Sequence, residues 1–338
     1  MFNYKWYLKD GYPAKGIDKH NKKVFTTFAC GGGSSMGYKL AGYDVIAAND
    51  IDPQMAVIYK KNHNPKYFFE CNIAELLNLE LPKELYDIDI LDGSPPCSTF
   101  SISGSREKNW GKNKKFREGQ SEQILDDLFF QFIKLVNKLK PKVVIAENVK
   151  GMLAGNARGY ILEIKKQLQD IGYNVQIFLF NAATMGVPQK RERVFILCSR
   201  KDLNLPTLEI EFKETPIKLK EIIINSGKKL SKIKEELWNK CEKGKAFSTI
   251  HKKGSYFNSI RLTENKVLPT ITASRGGCMS LPDIPYEISD ETLILGSSFP
   301  LDYNFLNIDV KYIVGMSVPP VMMAQVSNQI YKQWLSKV

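Results

Sequence analysis

Histidine is scarce in this chain, with 3 in 338 residues, and none of its 6 cysteines forms a C-x-x-C pair. Zinc sites draw on closely spaced cysteines and histidines, so no metal is expected. Unpaired, scattered thiols read as reduced, which points to the cytoplasm. No apolar run approaches the roughly 20 residues of a membrane-spanning helix, so no membrane is expected. Residues 1–9 mix aromatics with lysine and have no apolar centre, unlike a secretory leader. Internal repeats and low-complexity tracts are absent. Acidic residues are also short, 36 against 48 lysines and arginines, leaving a net charge of +12. That sign favours a polyanionic partner, most simply nucleic acid, although charge alone does not separate this from plain solubility.

What the chain does contain is alternation. Short apolar, β-branched runs at 24–28, 44–48, 88–91, 143–146, 175–180 and 194–198 predict buried parallel strands. Amphipathic stretches lie between them. At 124–139, Leu125, Leu128, Phe129, Phe132, Leu135, Val136 and Leu139 recur at three- and four-residue steps, and 161–171 repeats the pattern. Strand–helix alternation predicts an α/β fold with a doubly wound, mostly parallel, Rossmann-like sheet. Beyond residue 200 the regularity is lost. The expected division is a catalytic and cofactor-binding domain at 1–200, a smaller irregular domain at 201–283, and a segment at 284–338 that returns to the first. That last segment includes a helix at 318–335 with Pro319 and Pro320 in its first turn.

Four motifs follow strands. Phe28-Ala29-Cys30-Gly31-Gly32-Gly33 allows a tight turn and close approach to a ligand, and Asp50, after the second strand, can accept bonds from ribose hydroxyls. This pair suggests a nucleoside site and leaves open whether the cofactor is a nicotinamide or S-adenosylmethionine. Asp92-Gly93-Ser94-Pro95-Pro96-Cys97 stiffens the approach to Cys97, a plausible thiolate nucleophile at a strand's C-terminal end. Glu147-Asn148-Val149 sets a carboxyl at another such end. In Gln189-Lys190-Arg191-Glu192-Arg193, arginines bracket a glutamate and suit an ion-paired support.

In this order the four motifs resemble the DNA cytosine-5 methyltransferase family over nearly the whole chain. The resemblance implies that Cys97 adds to C6 of a flipped cytosine, Glu147 binds the N3 and N4 edge, Arg193 binds the O2 side, and Arg191 supports the pocket. It implies S-adenosylmethionine as cofactor, held by Phe28, Gly31, Gly33, Asp50, Ile51, Asn72, Ile73, Pro95, Leu128 and Ser317. Double-stranded DNA is the implied partner. Ser98 follows the nucleophile where the family has glutamine, and Met316 replaces the usual asparagine beside Ser317. The family's loop after the nucleophile closes over DNA; here it is basic, and Arg106, Lys112, Lys114 and Lys115 suit phosphate contact. Arg261 and Arg275, among Ser, Thr and Gly, are the expected base readers. A monomer is expected, with a possible cognate restriction endonuclease, in a bacterial cytoplasm and nucleoid-associated through DNA. Two other readings fit less well. A tRNA methyltransferase would carry a Cys-Phe-Thr tripeptide that this chain lacks, and a nicotinamide oxidoreductase would not use Cys97 or Glu147. A catalytically dead DNA binder would not need those two residues.

Overall fold

The computed structural model describes residues 2–96, 127–155, 157–273 and 277–338, and the backbone of 113–114 and 123–124. The chain forms two compact units. The larger comprises Tyr12–Asn181, Glu192–Phe212 and Met323–Val338; the smaller comprises Met1–Gly11, Ala182–Arg191 and Lys213–Met322. They interleave along the sequence, each made of three stretches.

The larger unit is built on a seven-stranded sheet of β1 (Lys23–Thr27), β2 (Asp44–Asn49), β3 (Tyr67–Phe69), β4 (Ile90–Gly93), β5 (Val143–Val149), β6 (Tyr173–Asn181) and β7 (Glu192–Arg200). Their order is β3-β2-β1-β4-β5-β7-β6. The first five in that order pair in parallel. The sheet is mostly parallel, as expected, but β7 runs antiparallel to both of its neighbours, so the strand expected at 194–198 is not a parallel one. The cause is the connection: only residues 182–191 separate β6 from β7, fewer than the dozen or more that a parallel crossover needs. β3 went unforeseen because three half-buried edge residues are too short to show a periodicity.

Helices α1 (Gly33–Leu40), α2 (Pro53–His63), α3 (Ile73–Asn78), α4 (Leu128–Leu139) and α5 (Ala157–Asp170) complete the α/β layers. α4 buries Leu128, Phe129, Phe132, Leu135, Val136 and Leu139 of the stripe that its spacing predicts, together with Ile133, while Leu125 lies outside the described residues. It stops at Lys140, in the left-handed region with φ 50°, just before Pro141. Phe129 meets both Phe132 and Tyr160 of α5 edge-on, joining the two helices in one core with β1, β4 and β5. Near the chain's end, the Ser327 carbonyl accepts from the Tyr43 hydroxyl at 2.9 Å and the Trp334 indole donates to Pro206, which fixes residues 323–338 within this unit.

The smaller unit has α6 (Lys232–Lys240), α7 (Asp290–Gly296), α8 (Val310–Met316) and a short four-stranded sheet. Its core gathers Leu230, Trp238, Cys241, Phe247 and Cys278. The Trp6 indole donates to the Ser298 carbonyl at 2.9 Å, which ties the first residues to this unit.

Candidate active site

In an open α/β sheet, ligands bind beyond the C-terminal ends of the strands. Here the register sets Thr27 opposite both Asn49 and Gly93, and Gly93 opposite Ala146, so the ends of β1, β2 and β4 lie level with Ala146 of β5, which runs on to Val149. Each end delivers one of the motifs.

The turn after β1 is strained in a regular way: Phe28, Cys30 and Gly32 have φ of 55°, 46° and 74°. Left-handed non-glycine residues cost about 1–3 kcal/mol each and persist only where the surroundings fix them. Two contacts fix this turn. The Ala29 amide donates to Asn49 O, and the Cys30 amide donates to Asp50 Oδ2 at 2.7 Å. Gly32 has a second reason for lacking a side chain, since a Cβ there would stand 2.0 Å from Nε2 of buried His63. Burial and nearby Lys39 hold His63 well below the usual imidazole range, so it is neutral. The motif drew attention to Gly31 and Gly33, both buried here, and the structure adds a steric demand at Gly32. Its partner His63 is distant in sequence and left no local signal.

Asp50 is buried and accepts the amides of Cys30 and Asp52, the latter at 2.8 Å on Oδ1. Burial pushes its carboxyl up to about 6 against these bonds. Each carboxylate oxygen has two acceptor sites, so Asp50 keeps capacity for a ribose diol. Ile51, beside it, is half-buried. Asn49 donates to the carbonyls of Phe69 and Cys71 and so positions the next residue, Asn72. Asn72 caps α3: its Oδ1 accepts the Glu75 amide at 2.7 Å and its Nδ2 donates to Glu75 Oε1. Ile73 and Leu128 are buried in the main core, with Phe28 packed at its edge.

β4 carries Asp92, which the motif reading passed over. It is fully buried and accepts from Thr26 Oγ1 at 2.8 Å and from the Tyr38 hydroxyl at 3.0 Å. Burial, with Glu147 adding repulsion, pushes its carboxyl from 3.8 up to about 7. The folded state therefore binds the proton more tightly than the unfolded chain. The resulting stabilisation is complete below about pH 4, falls as pH rises toward 7, and levels off above that. Asp92→Asn does not titrate and should remove the fall, worth roughly 2–4 kcal/mol across the range. Urea unfolding from pH 5 to 8.5 checks this, and parallel profiles for variant and wild type would refute it.

Beyond Asp92, the Pro95 carbonyl accepts from Asn148 Nδ2 at 3.0 Å, which links the β4 turn to the end of β5. On β5, Glu147 Oε1 meets Arg193 Nε at 2.9 Å, with side-chain exposures of 9% and 14%. Antiparallel register pairs Glu147 with Phe195 and Val149 with Arg193. Glu147 and Arg193 are thus diagonal neighbours on one face, reached because β7 is reversed. A second bond, from Arg193 Nη1 to Glu192 O at 2.8 Å, steadies the guanidinium.

The smaller unit holds the remaining described residues. Arg191 is buried and donates to the carbonyls of Ile271, Gly315 and Ser317. Ser317, also buried, follows α8 as its C-cap. Both residues brace the interior of this unit. Arg261, an expected base reader, is turned inward. Its Nε and Nη2 donate to Pro282 O, its Nη1 donates to the carbonyls of Trp238 and Cys241, and its guanidinium lies 3.8 Å over the Trp238 ring. Four of the five guanidinium N–H donors are thereby used internally. Arg261→Ala should strand the carbonyls of Cys241 and Pro282, while Trp238 O keeps the Cys241 amide, and lower stability by about 2–4 kcal/mol. A urea midpoint within error of wild type would overturn that role.

Cys97, Ser98, Arg106, Lys112, Lys115 and Arg275 lie outside the described residues, and only the backbone of Lys114 is described. Among the described residues no helix is long and apolar enough to cross a membrane, and no cluster of three or more His, Cys, Asp or Glu could hold a metal.

The profile of C-5 cytosine-specific DNA methylases matches residues 23–332. Type II methyltransferase M.FnuDI of Fusobacterium nucleatum is 38% identical over 200 residues, covering 59% of this chain and 52% of its own length. M.NgoFVII of Neisseria gonorrhoeae is 28% identical over 337 residues, covering 91% and 86%. The chain thus spans about half the length of M.FnuDI and most of M.NgoFVII. An E. coli prophage protein described as a DNA modification methyltransferase superposes with a TM-score of 0.72 at 19% identity, over 93% of this chain and 99% of its own, which shows a shared fold.

Proposed function

The chain belongs to the C-5 cytosine-specific DNA methylase family, and from that premise we propose that it methylates cytosine at C5 in duplex DNA. The observation that carries this is the Glu147–Arg193 pair, its carboxylate buried, on β5 one residue beyond the level of Gly93. S-adenosylmethionine, when bound, supplies an electrophilic methyl group. Asp50 has the acceptor capacity for its ribose, the turn at Phe28–Gly33 offers backbone at close approach, and Asn72 and Ile73 suit the adenine edge.

The protein's own residues handle the base. Cytosine C5 is a poor nucleophile, so Cys97 thiolate adds to C6, forming a C–S bond and converting the ring into an enamine. Glu147, oriented by Arg193, hydrogen-bonds N3 and N4 and favours a protonated N3 as density moves into the ring. Arg193 steadies the O2 side. After C5 has gained its methyl, loss of the C5 proton and β-elimination break the C–S bond and restore Cys97. The target must leave the base stack to be reached, which suits a base-flipping enzyme.

Relatives named Type II methyltransferases favour sequence-specific action of the restriction-modification kind, with a cognate endonuclease as a possible partner in the same cytoplasm. The basic segment containing Arg106, Lys112, Lys114 and Lys115 suits phosphate contact. Incubation with tritiated S-adenosylmethionine and either duplex DNA or tRNA is the direct test. Label is expected in DNA at cytosine C5, and label only in tRNA would overturn the proposal.

A further inference from the structure

With Arg261 turned inward, the smaller unit presents a different feature outward. Residues 243–263 contain no carboxylate, while Lys243, Lys245, Lys252, Lys253 and Arg261 supply cations. Lys243 pairs with Glu264 and Asp283. Lys252 and Lys253 are exposed and form no ion pair among the described residues. Four residues further on, Phe257 is 64% exposed, a large ring held in water.

The segment that displays them is well fastened. Phe247 is fully buried in the unit's core, and its carbonyl accepts the His251 amide at 3.1 Å. His251 closes the turn: its carbonyl accepts the Gly254 amide at 2.8 Å and its Nδ1 accepts the Ser255 amide at 3.2 Å. The Tyr256 ring meets the His251 ring edge-on at 5.2 Å and packs on the core. Tyr256 has φ 66°, and its carbonyl accepts the amide of fully buried Ser259. One aromatic is thus anchored inward while its neighbour is exposed in the same turn as two lysines.

We infer that the 251–257 turn is a duplex-DNA contact in which Lys252 and Lys253 take phosphates and the Phe257 ring lies against bases. An ammonium pair recognises phosphate in any sequence, while an exposed ring gains by stacking on, or wedging between, bases that every nucleic acid offers. The backbone of the turn is already fastened, so the contact costs little further ordering of the chain. The inference rests on the DNA reading of the previous section.

The test is fluorescence anisotropy with a labelled duplex over a salt series, alongside methyl transfer by the wild type. Phe257→Ala should weaken duplex binding about 5- to 100-fold with the salt slope unchanged. Phe257→Trp should restore binding. Lys252→Ala with Lys253→Ala should lower the slope of log affinity against log salt by about 1–2. Thermal melting equal to wild type is expected in each, because all three side chains are exposed. If the wild type binds and methylates DNA but Phe257→Ala binds equally well, the inference fails alone. If the wild type transfers methyl to no DNA, the functional reading fails first.

Discussion

Replacing Cys97 by alanine should abolish methyl transfer, lowering turnover by at least about 10³-fold, while folding and duplex binding stay near wild type. The reason is chemical. Without a nucleophile at C6, C5 remains part of an aromatic ring too poor in electron density to accept a methyl. Folding should survive because the segment leading to the cysteine is fixed independently of it. Pro95 is tied to Asn148 by a 3.0 Å bond, and Asp92 is anchored by Thr26 and Tyr38. A covalent trap gives the positive counterpart. In DNA carrying 5-fluorocytosine at the target, fluorine cannot leave as a cation, so β-elimination stalls and the wild type should stay bonded to the DNA through denaturing electrophoresis. The alanine variant should give no such band. Residual turnover in the variant, or a trapped adduct that survives loss of Cys97, would assign the nucleophile elsewhere.

Much of this site was legible in the sequence because its parts are local. A glycine run after a strand, an acid after the next, and a proline-stiffened cysteine after a third each declare themselves within ten residues. The α4 stripe was equally plain, since Leu128 to Leu139 alternate at helical spacing and bury that face. What was hidden depends on distant partners. Arg261 looks like any arginine in a polar loop. Only the fold shows that the carbonyls of Trp238, Cys241 and Pro282 converge on it. Gly32 is indistinguishable from Gly31 and Gly33 until His63 comes up beside it. The direction of β7 follows from a connection length whose meaning depends on knowing both strand ends. Asp92 reads as the last polar residue of a strand, and its proton affinity arises from the depth at which β1 and α1 enclose it.

That distinction bears on Glu147, the residue for which sequence and structure together make the sharpest demand. Its carboxylate is buried, and its described charge partner is Arg193 at 2.9 Å. Substitution by glutamine keeps the shape and an acceptor oxygen for Arg193 Nε, so the side chain should hold its place. What is lost is the negative charge that stabilises a protonated N3 as the thiolate adds. That contact strengthens only as the ring gains density, so its loss should appear in the rate more than in binding. Glu147→Gln should lower single-turnover methylation by about 10²–10⁴-fold, with duplex affinity changed by only about threefold. Glu147→Ala separates chemistry from support. It also leaves Arg193 buried without its partner, a deficit of about 3–5 kcal/mol that urea unfolding should reveal and that the glutamine variant should largely avoid. If glutamine unfolds as readily as alanine while its single-turnover rate matches wild type, Glu147 is a structural partner of Arg193 and the base must be polarised by another group.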